Sequence, residues 1–229
     1  QNNFVAENPI QPRAKDMQAL KVAPTPDYNV KVPLKYTYQG EQALPFNTKA
    51  HTYKMENGQR VVIIPKKGPT LVKTYVNVGS MNEPDNVRGI SHFIEHNLFN
   101  GSEGLEAGEF FANVNKMGAN TNASTGFAAT DYYIQSNLLR KSDLGNEIRI
   151  HASMIESPKF AKEMIEREKG PVTSEINMIL DDPDNLATNN TIKLLYNIKS
   201  TSKDVIGGSV DNINKLTRED VMDYYSRNY

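Results

Sequence analysis

The sequence predicts an α+β domain in which helices pack on an antiparallel or mixed sheet. Three features carry that expectation. The chain opens its patterned region on strand-like alternation, passes through two helical segments, and returns to two strands. It then stays helical from about residue 142 onward. Runs of strands followed by runs of helices, without regular βαβ alternation, indicate helices gathered on an antiparallel or mixed sheet. A two-residue turn signal at Asn57-Gly58 inside "AHTYKMENGQRVVIIP" joins two of the strands as a hairpin, because both residues tolerate positive φ.

Taken in order, residues 1–48 hold six prolines (Pro9, Pro12, Pro24, Pro26, Pro33, Pro45) and no period longer than a few residues. They are expected to form a Pro-rich arm or linker, so that the domain proper covers 49–229. After the hairpin, "TLVKTYVNVGS" alternates apolar and polar residues up to Gly79 and reads as a third strand. "GISHFIEHNLF" and "LEAGEFFANVNKMG" read as helices, the second closing at Gly118 as a C-terminal glycine should. "ANTNAST" and "AATDYYIQSNL" return to strand character. Helices are expected at roughly 142–156, 160–181, 185–199 and 211–227, the last with Thr217 as N-cap and Glu219 and Asp220 in its first turn.

Composition excludes several classes. A formal net charge of −1 leaves no electrostatic footprint for nucleic acid. No apolar run approaches the roughly 18 residues that cross a bilayer. With no cysteine, any transition-metal site must be built from His, Asp or Glu. Asn-x-Ser/Thr triplets at Asn100, Asn122 and Asn189 are weak glycosylation signals in an asparagine-rich chain. The Pro-rich arm and an opening Gln1 in place of Met lean toward an exported bacterial protein, and the absence of cysteine fits an extracytoplasmic location.

The chemistry concentrates in "GISHFIEHNLFNGSEG", which holds two of the four histidines. On a helix, residues four apart share a face with the i+3 position beside them. His92 and His96 could therefore aim at one ion, with Glu95 against it. Zinc asks for tetrahedral N/O donors at about 2.0–2.2 Å, so two histidines are one ligand short. His-x-x-Glu-His is an inverted metalloprotease motif; the competing reading is a helix face with two satisfied imidazoles. His51, in a strand, and His151, within a helix, read as structural. Downstream carboxylates in "IEREKGPVTSEINMILDD" are the remaining donors, among which Glu168 and Glu175 are seven apart and share a face two turns apart.

Several blocks in fixed order resemble the pitrilysin, insulysin and mitochondrial processing peptidase family of zinc metallopeptidases. They are "NGQRVVIIP", "VGSMNEPDNVRGISHFIEHNLFNGSE", "AGEFFANVNKMGANTNASTGFAATDYY", "EREKGPVTSEINM" and "LTREDVMDYYSRNY". The resemblance implies one Zn²⁺ per chain held by His92, His96 and Glu175, with Glu95 as general base on a zinc-bound water. Acceptors behind the far ring nitrogens of His92 and His96 are then expected to fix their tautomers. The resemblance implies that Glu168 supports the site and that Asn122 and Ala123 lie on a strand edge that pairs with the backbone of a peptide substrate. It also implies one half of a two-domain clamshell, truncated before its last strand, whose partner is a homologous second domain or subunit. The alternative is a non-catalytic family subunit that serves binding or assembly. Two departures stand out. Pro171 inside the Glu168–Glu175 helix is expected to kink it, and "TSKDVIGGSV" replaces a His-Pro-Tyr-Gly-like stretch.

Overall fold

The computed structural model describes residues 35–137, 141–195 and 206–229. They divide into two compact units, 35–69 and 70–229.

The smaller unit is a three-stranded antiparallel sheet, β1 (Tyr36–Leu44), β2 (Thr48–Met55) and β3 (Arg60–Ile63), in the order β1-β2-β3. The expected hairpin is there. Gly58 takes φ 89° and donates to the Met55 carbonyl at 2.9 Å, while Asn57 Oδ1 accepts from the Gln59 N–H. A strand at 36–44 corrects the expectation that residues 1–48 lack strand character; 1–34 lie outside the described residues. Here cross-strand partners supply what the local pattern lacked: Tyr36 and Tyr38 both pack on the Tyr53 ring of β2. His51 Nδ1 lies 3.3 Å from the Tyr38 hydroxyl, a structural role.

The larger unit carries a second antiparallel sheet in the order β4-β6-β5, built from β4 (Thr70–Val76), β5 (Asn120–Thr125) and β6 (Thr130–Ser136). Thus "TLVKTYV" pairs with β6, more than fifty residues onward, and among the described residues β5 is left as an edge. Helices α1 (Ile90–Leu98), α2 (Glu109–Lys116), α3 (Lys141–Glu156), α4 (Lys162–Asp181), α5 (Pro183–Leu195), α6 (Val210–Lys215) and α7 (Arg218–Asn228) complete it. The helix expected over 211–227 is two helices. Leu216 leaves the helical backbone, and Thr217 opens α7 with a reciprocal capping box to Asp220.

The core gathers Ile90, Phe93, Ile94 and Leu98 of α1 with Tyr132 and Ile134 of β6, Ile150 and Met154 of α3, and Ile165, Val172 and Ile176 of α4. Each such side chain contributes about 1.5–3 kcal/mol by leaving water. Among them, Ile165, Val172 and Ile176 fall at helical spacing, so burying this stripe sets which way the rest of α4 faces.

Pro171 does not interrupt α4, which is assigned as one helix from Lys162 to Asp181. The helix continues past the proline, and the core stripe explains why. Val172 and Ile176 beyond the proline are as fully buried as Ile165 before it, so packing holds both halves against the lost backbone bond.

Candidate metal centre

Helix α1 is buried on nearly every side, and its N-terminus is held by a partner from outside the helix. Gly89 takes φ 92° and offers no side-chain cap. Instead, the Glu83 carboxylate accepts from the Gly89 N–H and the Ser91 N–H, each at 2.8 Å. Two of the orphan donors of the first turn are thereby satisfied. A Cβ on Gly89 would lie 2.2 Å from the Gly207 carbonyl oxygen, so only glycine fits there. At the other end of the chain, the Tyr224 hydroxyl of α7 meets Ser91 Oγ at 3.0 Å.

From this fixed helix His92 and His96 project side by side, their rings edge to face with centroids 4.7 Å apart. Helix α4 brings Glu175 to both. Its Oε2 lies 3.6 Å from His92 Nε2 and 3.3 Å from His96 Nε2. The three residues offer donor atoms all within 4.8 Å of one another, the one such metal-capable group among the described residues. Tetrahedral zinc with donors at about 2.0–2.1 Å sets those donors about 3.3–3.4 Å apart. The donor set and its spacing therefore fit a zinc ion.

Glu168 stands behind His96. Its Oε1 lies 3.1 Å from His96 Nδ1, and Oε2 accepts from Asn100 Nδ2 at 2.8 Å. An Nδ1–H donating to Glu168 leaves Nε2 as the ring nitrogen facing Glu175. His92 has no equivalent among the described residues, where its buried Nδ1 makes no hydrogen bond. Of the two acceptors expected from the sequence, the described residues supply the one behind His96. Where the second would sit, the backbone of Gly207 packs so closely that a Cβ there would come within 3.2 Å of His92 Nδ1.

The charge balance follows from burial and these contacts. Burial pushes His92 down, helped by the neighbouring His96. Burial also opposes charge on His96, but its bonds with Glu168 and Glu175 and the charge of Glu95 outweigh it and raise the ring to about 10. Its bond with His96 holds Glu175 below the usual carboxylate range. Glu168 and Glu175 thus both reach the His96 ring, one on each nitrogen. Burial lifts Glu95 to about 7, against the pull of His96 and of a hydrogen bond from Thr125 Oγ1 to its Oε2.

Asn122 and Ala123 lie on edge strand β5, where Asn122 Oδ1 accepts from the Ala123 N–H at 3.0 Å. His151 stands apart from the cluster, its Nε2 2.9 Å from Thr74 Oγ1. Asn100 is half-buried and its amide is engaged as a donor to Glu168. Sequence reasoning missed Thr125, Asn100, Glu83 and Gly207. Thr125 and Gly207 act across the fold and carry no spacing signal, whereas Asn100 follows His96 by four residues and Glu83 precedes Ser91 by eight.

Residues 61–209 match the family model described as insulinase, peptidase family M16. The chain belongs to that family. It is 32% identical over 193 residues to the uncharacterised zinc protease YmfH of Bacillus subtilis (strain 168), covering 77% of this chain and 42% of that protein. Among solved structures, a protease from Helicobacter pylori superposes with a TM-score of 0.71 at 27% identity, over 80% of this chain and 44% of that one. The periplasmic protease PqqL from Escherichia coli gives a TM-score of 0.73 at 25% identity, over 82% and 21%. The chain therefore spans less than half the length of these M16 relatives. No helix among its described residues is long and apolar enough to cross a membrane.

Proposed function

We propose that this chain is the metal-bearing half of a zinc-dependent endopeptidase that cuts peptides or short unfolded segments. The observation that carries the reading is the convergence of His92, His96 and Glu175 within 4.8 Å, with buried Glu95 beside them. In this reading those three residues hold the ion and Glu168 orients His96. Zinc, when bound, supplies a Lewis acid that brings the pKa of water toward about 7 and polarises a carbonyl. Glu95 acts as general base: its carboxylate takes the proton of the attacking water and delivers it to the leaving amine. In the metal-free cluster burial raises the Glu95 carboxyl, and a carboxylate so destabilised is a stronger base than a solvated one.

Edge strand β5, through Asn122 and Ala123, pairs with an extended substrate by β-augmentation, which selects for unfolded segments. A homologous domain or subunit completes the chamber, as the length of the M16 relatives allows. The chain is exported in this reading, supported by its similarity to PqqL, a periplasmic protease of Escherichia coli.

The test uses the complete gene product. One zinc per chain is expected by elemental analysis, and it is lost in His92→Ala and Glu175→Ala. Glu95→Gln should keep zinc and lose peptide hydrolysis. Wild-type turnover by a zinc-loaded Glu95→Gln would remove Glu95 from its role. A wild-type protein that binds zinc but cleaves no peptide would favour the non-catalytic subunit.

A further inference from the structure

Glu95 makes one side-chain hydrogen bond among the described residues, and its donor is Thr125 Oγ1 at the C-terminal end of β5. A carboxylate at the end of a side chain turns freely about its last torsion, so a buried base is aimed only by what it touches. A threonine hydroxyl has one hydrogen. Given to Oε2, it leaves the lone pairs of Oε1 for proton transfer.

The donor is itself held firmly. Threonine is β-branched and stiff at χ1. Its strand pairs in register with β6 through Thr125 opposite Thr130, whose own hydroxyl donates to the Val78 carbonyl at 2.8 Å. Just beyond, the Gly126 N–H donates to Ala129 O at 2.8 Å and Gly126 O accepts from the Ser80 N–H at 3.1 Å. A Cβ on Gly79 would fall 2.4 Å from that same Gly126 oxygen, so backbone packs on backbone at this corner. Thr125 thus has little freedom to follow a displaced glutamate.

We propose that Thr125 is the positioning residue of the general base, fixing the Glu95 carboxylate from the strand whose edge receives the substrate. Thr125 lies two residues beyond Ala123 on the same strand, about 7 Å along it. Substrate pairing at Asn122 and Ala123 and the aim of Glu95 are therefore set by one rigid element. The inference rests on the assignment of Glu95 as base made above, and its test is chosen to fail separately.

Thr125→Val keeps the branched shape and removes the hydroxyl, whereas Thr125→Ser restores a hydroxyl. In the complete gene product, Thr125→Val should lower kcat about 10- to 100-fold, with KM and zinc content within about twofold of wild type. Thr125→Ser should recover most of the rate. Crystal structures of the zinc-free variants give a readout independent of turnover: Glu95 should leave its native rotamer in Thr125→Val and keep it in Thr125→Ser. Wild-type kcat in Thr125→Val overturns the proposal, as does a native Glu95 rotamer in that variant. If wild type cleaves no peptide, the peptidase reading falls, and the rotamer of Glu95 still decides whether Thr125 positions it.

Discussion

Replacing Glu168 by Gln tests the support of the metal centre with almost no change in shape. Glu168 accepts two N–H groups, from the His96 ring at 3.1 Å and from Asn100 at 2.8 Å, one on each oxygen. A glutamine has one oxygen and one NH₂. It can accept from His96 and turn its NH₂ against the Asn100 donor, or accept from Asn100 and turn its NH₂ against the His96 Nδ1–H. The second sets donor against donor in a site where Glu168 is buried, and the first makes the Asn100 amide flip and give up its bond to the His96 carbonyl. The substitution also removes the charge that strengthens the imidazole as a donor to the ion. Loss of such an outer partner lowers metal affinity about 10- to 100-fold, which corresponds to about 1.4–2.8 kcal/mol. The assay is competition for zinc against a chromophoric chelator, with circular dichroism of the zinc-free protein to show that the fold persists. A folded Glu168→Gln that binds zinc within twofold of wild type would refute the reasoning, since His96 would then be oriented by something else.

Two further outcomes follow from charge. His96 is held protonated to about 10 in the zinc-free cluster, and a ligand must be neutral, so zinc binding at pH 7.5 should release about one proton. Calorimetry in two buffers of different ionisation enthalpy measures this directly, and zero release would contradict the charge balance described for the cluster. Away from the cluster, burial pushes His151 down to about 4 from an ordinary 6.5. The unfolded chain therefore binds a proton between these values while the folded chain does not, and stability rises with pH across that window. The contribution is up to about 3 kcal/mol. It is complete above pH 6.5 and lost as pH falls toward 4. Urea unfolding of His151→Gln should show a correspondingly flatter pH dependence between 4 and 6.5, and an unchanged slope would point to other groups.

What the sequence determined by itself is local. Helix α1 and the shared face of His92 and His96 follow from a period of 3.6. Gly58 marks the hairpin, and Thr217 with Asp220 marks the start of α7, because turn and cap chemistry is completed within a few residues. The seven-residue spacing of Glu168 and Glu175 likewise states that they share a face, though not that this face meets His96. The N-terminal strand β1 escaped notice because its pattern is completed by tyrosine packing on another strand, not by its own alternation. Tertiary structure alone decided the rest. The core stripe of α4 carried the helix through Pro171, where local rules expect a break. Glu83 supplied the cap that Gly89 lacks, and the backbone of Gly207 took the place of an acceptor behind His92. Thr125 met Glu95 across thirty residues of chain. Such contacts depend on how burial brings distant backbones together, and no spacing within a segment records them.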